Sequence, residues 1–473
     1  MTNQLKCHLY FCSMKLLNKK LILVIASMGI FVEALDIAII NLALPKIEKD
    51  LGLTNDSSYK LQSVYVLIYG CFLILGGKLS DFIGRKTVFL WGAVIFLLTS
   101  LGAGLSQTYH ALLLFRTLQG LGAALIMPSA FSIVNYYFTE SQERSRAIGI
   151  FGSFAATGSA AGLSVGGIIA SYLGWSWVFL INVPILLIII VIAYLYLEKD
   201  IKSKSELPDI PAAIALVVAM LSLTWATELL SKPVENRLKI AGFFLLLVLT
   251  TLYLYKRLKT QPIPLLDLKV LALPSLRKGN TLFILLGALF TGYLFIMSFL
   301  IQQNFHFSAA ESGFIMMPFN ILSILIGRFG LPVLSRRIPA KTIAIFGAAS
   351  MLAGTLSLVA AVQYHSLFFL LAGGSLIAGV GMTLCFTGYS VIAMEKVPTE
   401  QLGVSGSLTT TAYFIGGGIG LPVISMFMSN TVGEWNGRPI LVLCAIALGS
   451  ITLLSFPNSL LFSRNERLAD RYK

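Results

Sequence analysis

The sequence predicts an all-α membrane protein: two six-helix bundles plus two extra central helices, fourteen spans in all, with both termini cytoplasmic. Three observations carry that reading. Of the 473 residues, 56% are hydrophobic and only 12% are charged, about half the charge of a typical soluble domain. The apolar residues arrive in runs long enough to cross about 30 Å of hydrocarbon as a helix. The basic residues fall in alternate loops, as they do when positive loops stay in the cytoplasm.

Six runs begin near Leu21, Leu61, Val88, Ala111, Ala147 and Ser176. Two more cover Ala212 to Leu230 and Ile240 to Tyr255. A second set of six follows: Asn280 to Ile301, Ser312 to Leu334, Thr342 to Val362, Leu367 to Met394, Val404 to Met428 and Pro439 to Leu461. Glycines interrupt the Leu367 and Val404 runs often enough that broken helices are expected there. The organisation is therefore a cytoplasmic N-terminus (1–20), a first bundle (21–200), two additional helices with a cytoplasmic linker (201–278), a second bundle (279–461) and a cytoplasmic tail (462–473). The longest loop, Lys256 to Lys278, carries six basic residues and links the extra pair to the second bundle.

The formal net charge of +14 could suggest an anionic partner, but a nucleic-acid binder clusters its basic residues on one water-facing patch. Here 26 of the 35 Lys and Arg residues fall in segments that the span order puts in the cytoplasm. The surplus is a topology signal, and nucleic acid is not an expected partner. The five cysteines form no CxxC pair and the four histidines are scattered, so no metal site, disulfide framework or cofactor site is expected. No Walker-type loop is present, which argues against direct nucleotide drive. An enzyme would need acids or histidines clustered at one membrane face, and none is found; no catalytic residue is assigned. The run after Lys20 is too long for a cleavable signal peptide and lacks a small-residue cleavage site. Met14, followed by Lys15 and Leu16, reads as a more natural start than Met1.

Charged residues inside apolar runs are costly, so each needs a reason. Arg116 carries an insertion penalty of roughly 2.5 to 3.5 kcal/mol near mid-membrane, and Gln119 and Gly120 share its helix face. Glu33 and Asp36 lie three residues apart on the first span, and two carboxylates one turn apart in low dielectric resist being ionised together. Such a pair titrates as a unit; it can carry a proton or attract a cationic substrate. Between the second and third spans, Gly77 and Gly84 permit a tight reversal around Asp81, Arg85 and Lys86. There Asp81 can cap a helix, and the basic pair can meet acids on a neighbouring helix as a cytoplasmic latch. On the fifth span Gly158, Gly162 and Gly166 recur every four residues with Gly167 adjacent, a stripe that lets helices pack closely. Gly416, Gly417, Gly418 and Gly420 before Pro422 are its counterpart in the second half.

The loop Gly77-Lys78-Leu79-Ser80-Asp81-Phe82-Ile83-Gly84-Arg85-Lys86 resembles the GxLaDrxGRK signature of the major facilitator superfamily. Leu35 to Pro45, with Asp36 and Asn41, is similar to the LDxTvvNvALP motif of its fourteen-span drug:proton antiporter subgroup. Arg116 to Ala124 matches RxxQGxgaA, and Trp175 to Pro184 resembles WRWiFliNvP with Ser176 in place of the usual arginine. The resemblance covers nearly the whole chain. It implies alternating access, with Asp36 and Arg116 in proton coupling, Gln119 and Asn41 beside them, the Gly77–Lys86 loop at the cytoplasmic gate, and the glycine stripe as a pivot. Glu33 lies outside the motif, so its role rests on position alone. Gly158 to Gly167 departs from the antiporter pattern GxxxGPxxGG, with Leu163 where the proline stands.

The expected function is export of small hydrophobic or cationic compounds against protons. A symporter or uniporter of the same fold is the alternative, favoured by Leu163, and a non-transporting receptor a remote one. The expected partners are the lipid bilayer, a small-molecule substrate and protons. The expected setting is the bacterial inner membrane, as a monomer, with a periplasmic adaptor left open.

Overall fold

In the computed structural model, residues 2–53, 55–198, 207–230, 235–261, 264–398, 402–427 and 438–456 are described. Their secondary structure is helical, with no strand among them. Among the described residues, fourteen helices are long and apolar enough to cross a membrane: α1 (Lys19–Asp50), α2 (Ser57–Ile83), α3 (Arg85–Gly104), α4 (Tyr109–Tyr137), α5 (Gln142–Tyr172), α6 (Ser176–Tyr196), α7 (Ile210–Thr227), α8 (Arg237–Thr260), α9 (Pro274–Asn304), α10 (Ala309–Arg337), α11 (Ala340–Tyr364), α12 (Leu367–Met394), α13 (Ser405–Ser425) and α14 (Arg438–Ser455). An even number of crossings returns the chain to its starting side. Most of the basic residues lie at that end, called the basic end below.

Local sequence explains the reversals. Gly84 enters α3 at φ 124°, a backbone conformation that costs a residue with a Cβ. Thr108 caps α4 by accepting from the Ala111 amide. Ser308 and Glu311 form a capping box at the start of α10, satisfying two orphan amides at once. The glycine-rich α12 is continuous, with a π segment at Ser375–Gly381 in place of a break. Its glycines accept close neighbours, Leu358 against Gly373 and Phe319 against Gly374. The helix through α13 is likewise unbroken, over Leu402–Ser425. Helix α6 keeps helical dihedrals through Ile181, at φ −60° and ψ −29°, and runs on from Ser176 to Tyr196.

Helices α1–α6 enclose one core, with Phe89, Phe96 and Ile126 at its centre. Helices α9–α14 enclose another, around Phe283, Phe319, Met351 and Leu358. The extra helices lie beside both bundles: α7 packs against α2 and α13, and α8 packs on α7. In α8 only Leu254 and Leu258 are buried, so its remaining apolar surface suits lipid. The linker after it is packed. Leu265, Val270 and Leu276 are buried beside Leu75 and Ala212, and Lys78 donates to the Pro264 carbonyl at 2.5 Å.

The two bundles meet tightly at the end opposite the basic one. Leu35, Ile39, Phe295, Phe299, Ala309 and Leu421 share a buried cluster there. Ser298 donates to the Asn41 carbonyl at 2.5 Å, Gln302 to the Leu42 carbonyl at 3.1 Å and Ser63 to the Gly418 carbonyl at 2.7 Å. Along α5 and α10 the contact fades toward the basic end. Gly167 meets the Ala309 carbonyl of the second bundle, whereas Gly149 and Gly152, nearer the basic end of α5, meet nothing within 4 Å. Leu325 and Phe329 of α10 are exposed on the same half of the molecule. Sealed at one end and parted along α5 and α10 at the other, the bundles open toward the basic end between these two helices, while Leu75 of α2 stays in one buried cluster with Leu276 of α9 and Leu408 of α13.

Candidate functional site

The charged residues of the first and fourth spans meet inside the first bundle. Arg116 Nη1 lies 2.6 Å from Asp36 Oδ2, and both side chains are fully excluded from solvent. An isolated charge there would carry a penalty of several kcal/mol, so the arrangement of partners is the central fact. The same Arg116 nitrogen donates to Gln119 Oε1 at 2.7 Å. Gln119 Nε2 in turn donates to Asp36 Oδ1 at 3.0 Å and to Ser100 Oγ at 2.8 Å. Asn182 Nδ2 donates to Asp36 Oδ1 at 2.9 Å. On the other side the guanidinium reaches the Leu61 carbonyl and Gln62 Oε1, at 3.4 and 3.5 Å. Its carbon sits 4.1 Å from the Tyr65 ring centroid, close enough for a cation–π contact.

Five helices therefore converge on one ion pair. Asp36 comes from α1, Gln62 and Tyr65 from α2, Ser100 from α3, Arg116 and Gln119 from α4, and Asn182 from α6. The spacing of three between Arg116 and Gln119 puts both on one face. The packing of α6 against α1 and α3 puts the Asn182 amide within reach of Asp36. Removing the charge of Asp36 would leave the guanidinium with only neutral acceptors, so protonation and side-chain rearrangement are coupled here by proximity alone.

The structure separates three residues that the sequence groups together. Asp36 is taken up by Arg116, Gln119 and Asn182, whereas Glu33, 4% exposed, is hydrogen-bonded to Tyr69. The two carboxylates share a helix and feel each other's charge, but they have different partners. Asn41 does not join the ion pair. Its amide donates to the carbonyls of Ile37 and Ala38 in its own helix, at 2.9 and 3.3 Å, and its backbone carbonyl receives Ser298 of the second bundle. Its place is in the seal between bundles.

At the basic end, Gly77 is half-buried, Asp81 is exposed and Gly84 makes the turn. Arg85 donates to Ser132 Oγ at 2.9 Å and covers the Tyr136 ring. Lys86 donates to the carbonyls of Tyr194 and Leu197, at 2.7 and 2.6 Å. These acceptors are a hydroxyl and two helix-end carbonyls. They belong to α4 and to the C-terminal end of α6, so the basic pair fastens the loop to its own bundle. In the α5 stripe, a Cβ on Gly158 or Gly162 would strike the carbonyls of Phe31 or Leu35, and one on Gly166 would meet Ile39. One on Gly167 would strike the Ala309 carbonyl of the other bundle. Leu163 is 3% exposed and packs into the second bundle's core.

Sequence reasoning missed Asn182, Gln62, Ser100 and Tyr65. Asn182 stood in a quoted motif, yet an amide near a span end carries no insertion penalty large enough to draw notice. Gln62 and Ser100 look like ordinary polar residues near a membrane surface. Among the described residues, no group of three His, Cys, Asp or Glu side chains is placed to hold a metal ion.

Comparison with known proteins agrees with the fold. The model of the Major Facilitator Superfamily matches residues 26–421. The tetracenomycin C resistance and export protein of Streptomyces glaucescens is 30% identical over 419 residues, 87% of this chain and 76% of that protein. The cephamycin export protein CmcT of Amycolatopsis lactamdurans is 28% identical, over 85% of this chain and 83% of its own length. Among solved structures, a D-xylose–proton symporter superposes with a TM-score of 0.65 at 15% identity, covering 93% of this chain and 98% of that one. A POT family peptide transporter gives 0.64 at 17% identity, covering 95% and 96%. At such identities these structures speak for the fold alone.

Proposed function

The chain belongs to the major facilitator superfamily, and from that premise we propose that it exports a small hydrophobic or cationic compound in exchange for protons. The observation that carries the reading is the fully buried Asp36–Arg116 pair, held by Gln119 and Asn182. A buried carboxylate whose only full counter-charge is one guanidinium has two settled states. It is ionised and paired, or protonated with the guanidinium turned to other acceptors. Gln62 and the Leu61 carbonyl already stand within reach of Arg116 for the second state. Exchange follows if the proton enters from the outer face and leaves when the bundles part toward the cytoplasm.

The parted end is the basic one, which the distribution of Lys and Arg assigns to the cytoplasm. On that assignment both termini are cytoplasmic and the structure is inward-facing, with Asp36 ionised and ready for substrate. The two matched relatives carry resistance and export in their names, which supports the outward direction. The setting that fits is a bacterial inner membrane, as a monomer.

The test is transport in everted membrane vesicles under an imposed pH gradient. Wild-type vesicles should accumulate an exported drug only while the interior is acidic. Asp36→Asn should abolish that dependence while the protein is still inserted in the membrane. Accumulation by Asp36→Asn that tracks the gradient as wild type does would refute the role of Asp36.

A further inference from the structure

Helix α8 carries on its lipid-facing surface an ordered pattern that proton exchange does not use. Leu245, Leu249, Leu252, Lys256 and Lys259 are all exposed, and their spacing of alternate fours and threes sets them along one helix face. From Leu245 to Lys256 this face runs about 16 Å at a rise of about 1.5 Å per residue, half of the roughly 30 Å hydrocarbon core. The leucines therefore match the acyl chains of one leaflet, and the lysines arrive at the depth of its headgroups. Tyr255 is exposed beside them, with Lys259 Nζ 4.9 Å from its ring centroid. Tyrosine is enriched at that depth, where one end of the ring is apolar and the other wet.

The charge on this face is left unbalanced. Between Lys256 and Lys278 there are six basic residues and one acid, Asp267. Asp267 caps the short helix Leu268–Leu271, accepting from the Lys269 amide at 2.8 Å. Arg257 has its own acid, Asp209 of α7, at 2.9 Å, and Lys278 is buried against the Phe456 carbonyl. Lys256 and Lys259 form no ion pair among the described residues. At the other end of α8, Arg237 and Lys239 stand two residues apart, so they do not share a face, and Glu235 lies two residues before Arg237. A topology bias asks only for positive loops; it does not require two unpaired lysines in register with an exposed apolar stripe.

We propose that the Leu245–Lys259 face of α8 is a binding site selective for an anionic phospholipid of the leaflet at the basic end. Lys256 and Lys259 hold its phosphate, and its chains lie along the leucines. Because α8 packs on α7, and α7 on both bundles, a lipid held there bears on the helix pair that straddles the two. The site stands whatever the direction of transport.

The experiment is equilibrium binding of two phospholipids, phosphatidylglycerol and phosphatidylcholine, each with a fluorophore on one acyl chain, to the purified full-length protein in a nonionic detergent. Each lysine beside an anionic headgroup contributes about fivefold in affinity. Wild type should accordingly prefer phosphatidylglycerol by about tenfold or more. Lys256→Gln/Lys259→Gln should weaken phosphatidylglycerol about 10- to 30-fold and phosphatidylcholine by less than about threefold. Lys256→Arg/Lys259→Arg, which keeps both charges, should bind phosphatidylglycerol as wild type does. Arg237→Gln/Lys239→Gln, an equal loss of charge from the far end of the same helix, should change it by less than about threefold. Retained binding of phosphatidylcholine reports a folded protein. Equal effects of Lys256→Gln/Lys259→Gln on both lipids would overturn the proposal, as would equal losses from the two glutamine pairs or a wild type without preference. Displacement of phosphatidylglycerol by glycerol 3-phosphate at matched concentration would also overturn it, by making the site one for free phosphates.

Discussion

Arg116 and Asp36 stand 2.6 Å apart with no solvent exposure on either side chain. Neither residue can be removed singly without orphaning the other's charge. Arg116→Met should therefore destabilise the protein by about 3 to 5 kcal/mol. The double variant Asp36→Asn/Arg116→Met should regain a large part of that loss, because it buries no charge. Thermal unfolding in detergent of the two single variants and the double measures the coupling. Simple additivity of the three shifts would mean that the pair contributes little.

Arg116 also uses the shape of its fork. It donates to Asp36 and Gln119 from one nitrogen and approaches Gln62 from the other. Lysine keeps the charge but not the planar fork. Arg116→Lys should fold with a loss of about 1 to 2 kcal/mol and lose most gradient-driven transport. Transport rates in vesicles, normalised to protein inserted, check this; near-normal rates would show that charge alone suffices.

The seal between the bundles gives a conformational prediction. A Cβ on Gly167 would strike the Ala309 carbonyl oxygen, a contact that neither backbone can absorb in the closed arrangement. Gly167→Val should thus favour separation at that end. With Ser298→Cys as the reporter in both backgrounds, a membrane-impermeant maleimide applied from outside should label the Gly167→Val protein faster. Equal labelling rates would mean the seal does not depend on this approach.

Leu163 makes the same seal chemically specific. Its side chain is buried in the second bundle's core, at the position where the resembled antiporter pattern has a proline. Leu163→Pro removes that apolar contact and also a helix hydrogen bond, a combined cost of about 3 kcal/mol or more. The expected result is a changed ratio of uptake to efflux, as the closed arrangement loses stability. Identical kinetics in the two directions would make the departure neutral.

Fourteen runs and a charge bias were enough to read the architecture, because lipid forces every spanning segment into a long apolar helix. Asp36 and Arg116 were legible because a charge in an apolar run stands out by its cost, and Gln119 because it shares the helix face of Arg116. What pairs with them was not. Asn182 reaches Asp36 because α6 packs against α1, and no periodicity within its own run reveals that neighbour. Glu33 and Asp36 share a face by spacing, yet one faces the tyrosines of α2 and the other faces α4. That split depends on how the helices are arranged around α1. Asn41 shows the opposite error, since motif membership placed it with the ion pair and packing placed it in the seal.

Proton movement itself is the most direct test of the central claim. In proteoliposomes with a trapped pH indicator and no imposed gradient, adding exported substrate should drive protons across the membrane in the opposite direction. The account predicts that wild type shows this flux and that Asp36→Asn does not, although Asp36→Asn still exchanges labelled for unlabelled substrate. A substrate-driven proton flux of normal size in Asp36→Asn would contradict the assignment of the coupling proton to Asp36.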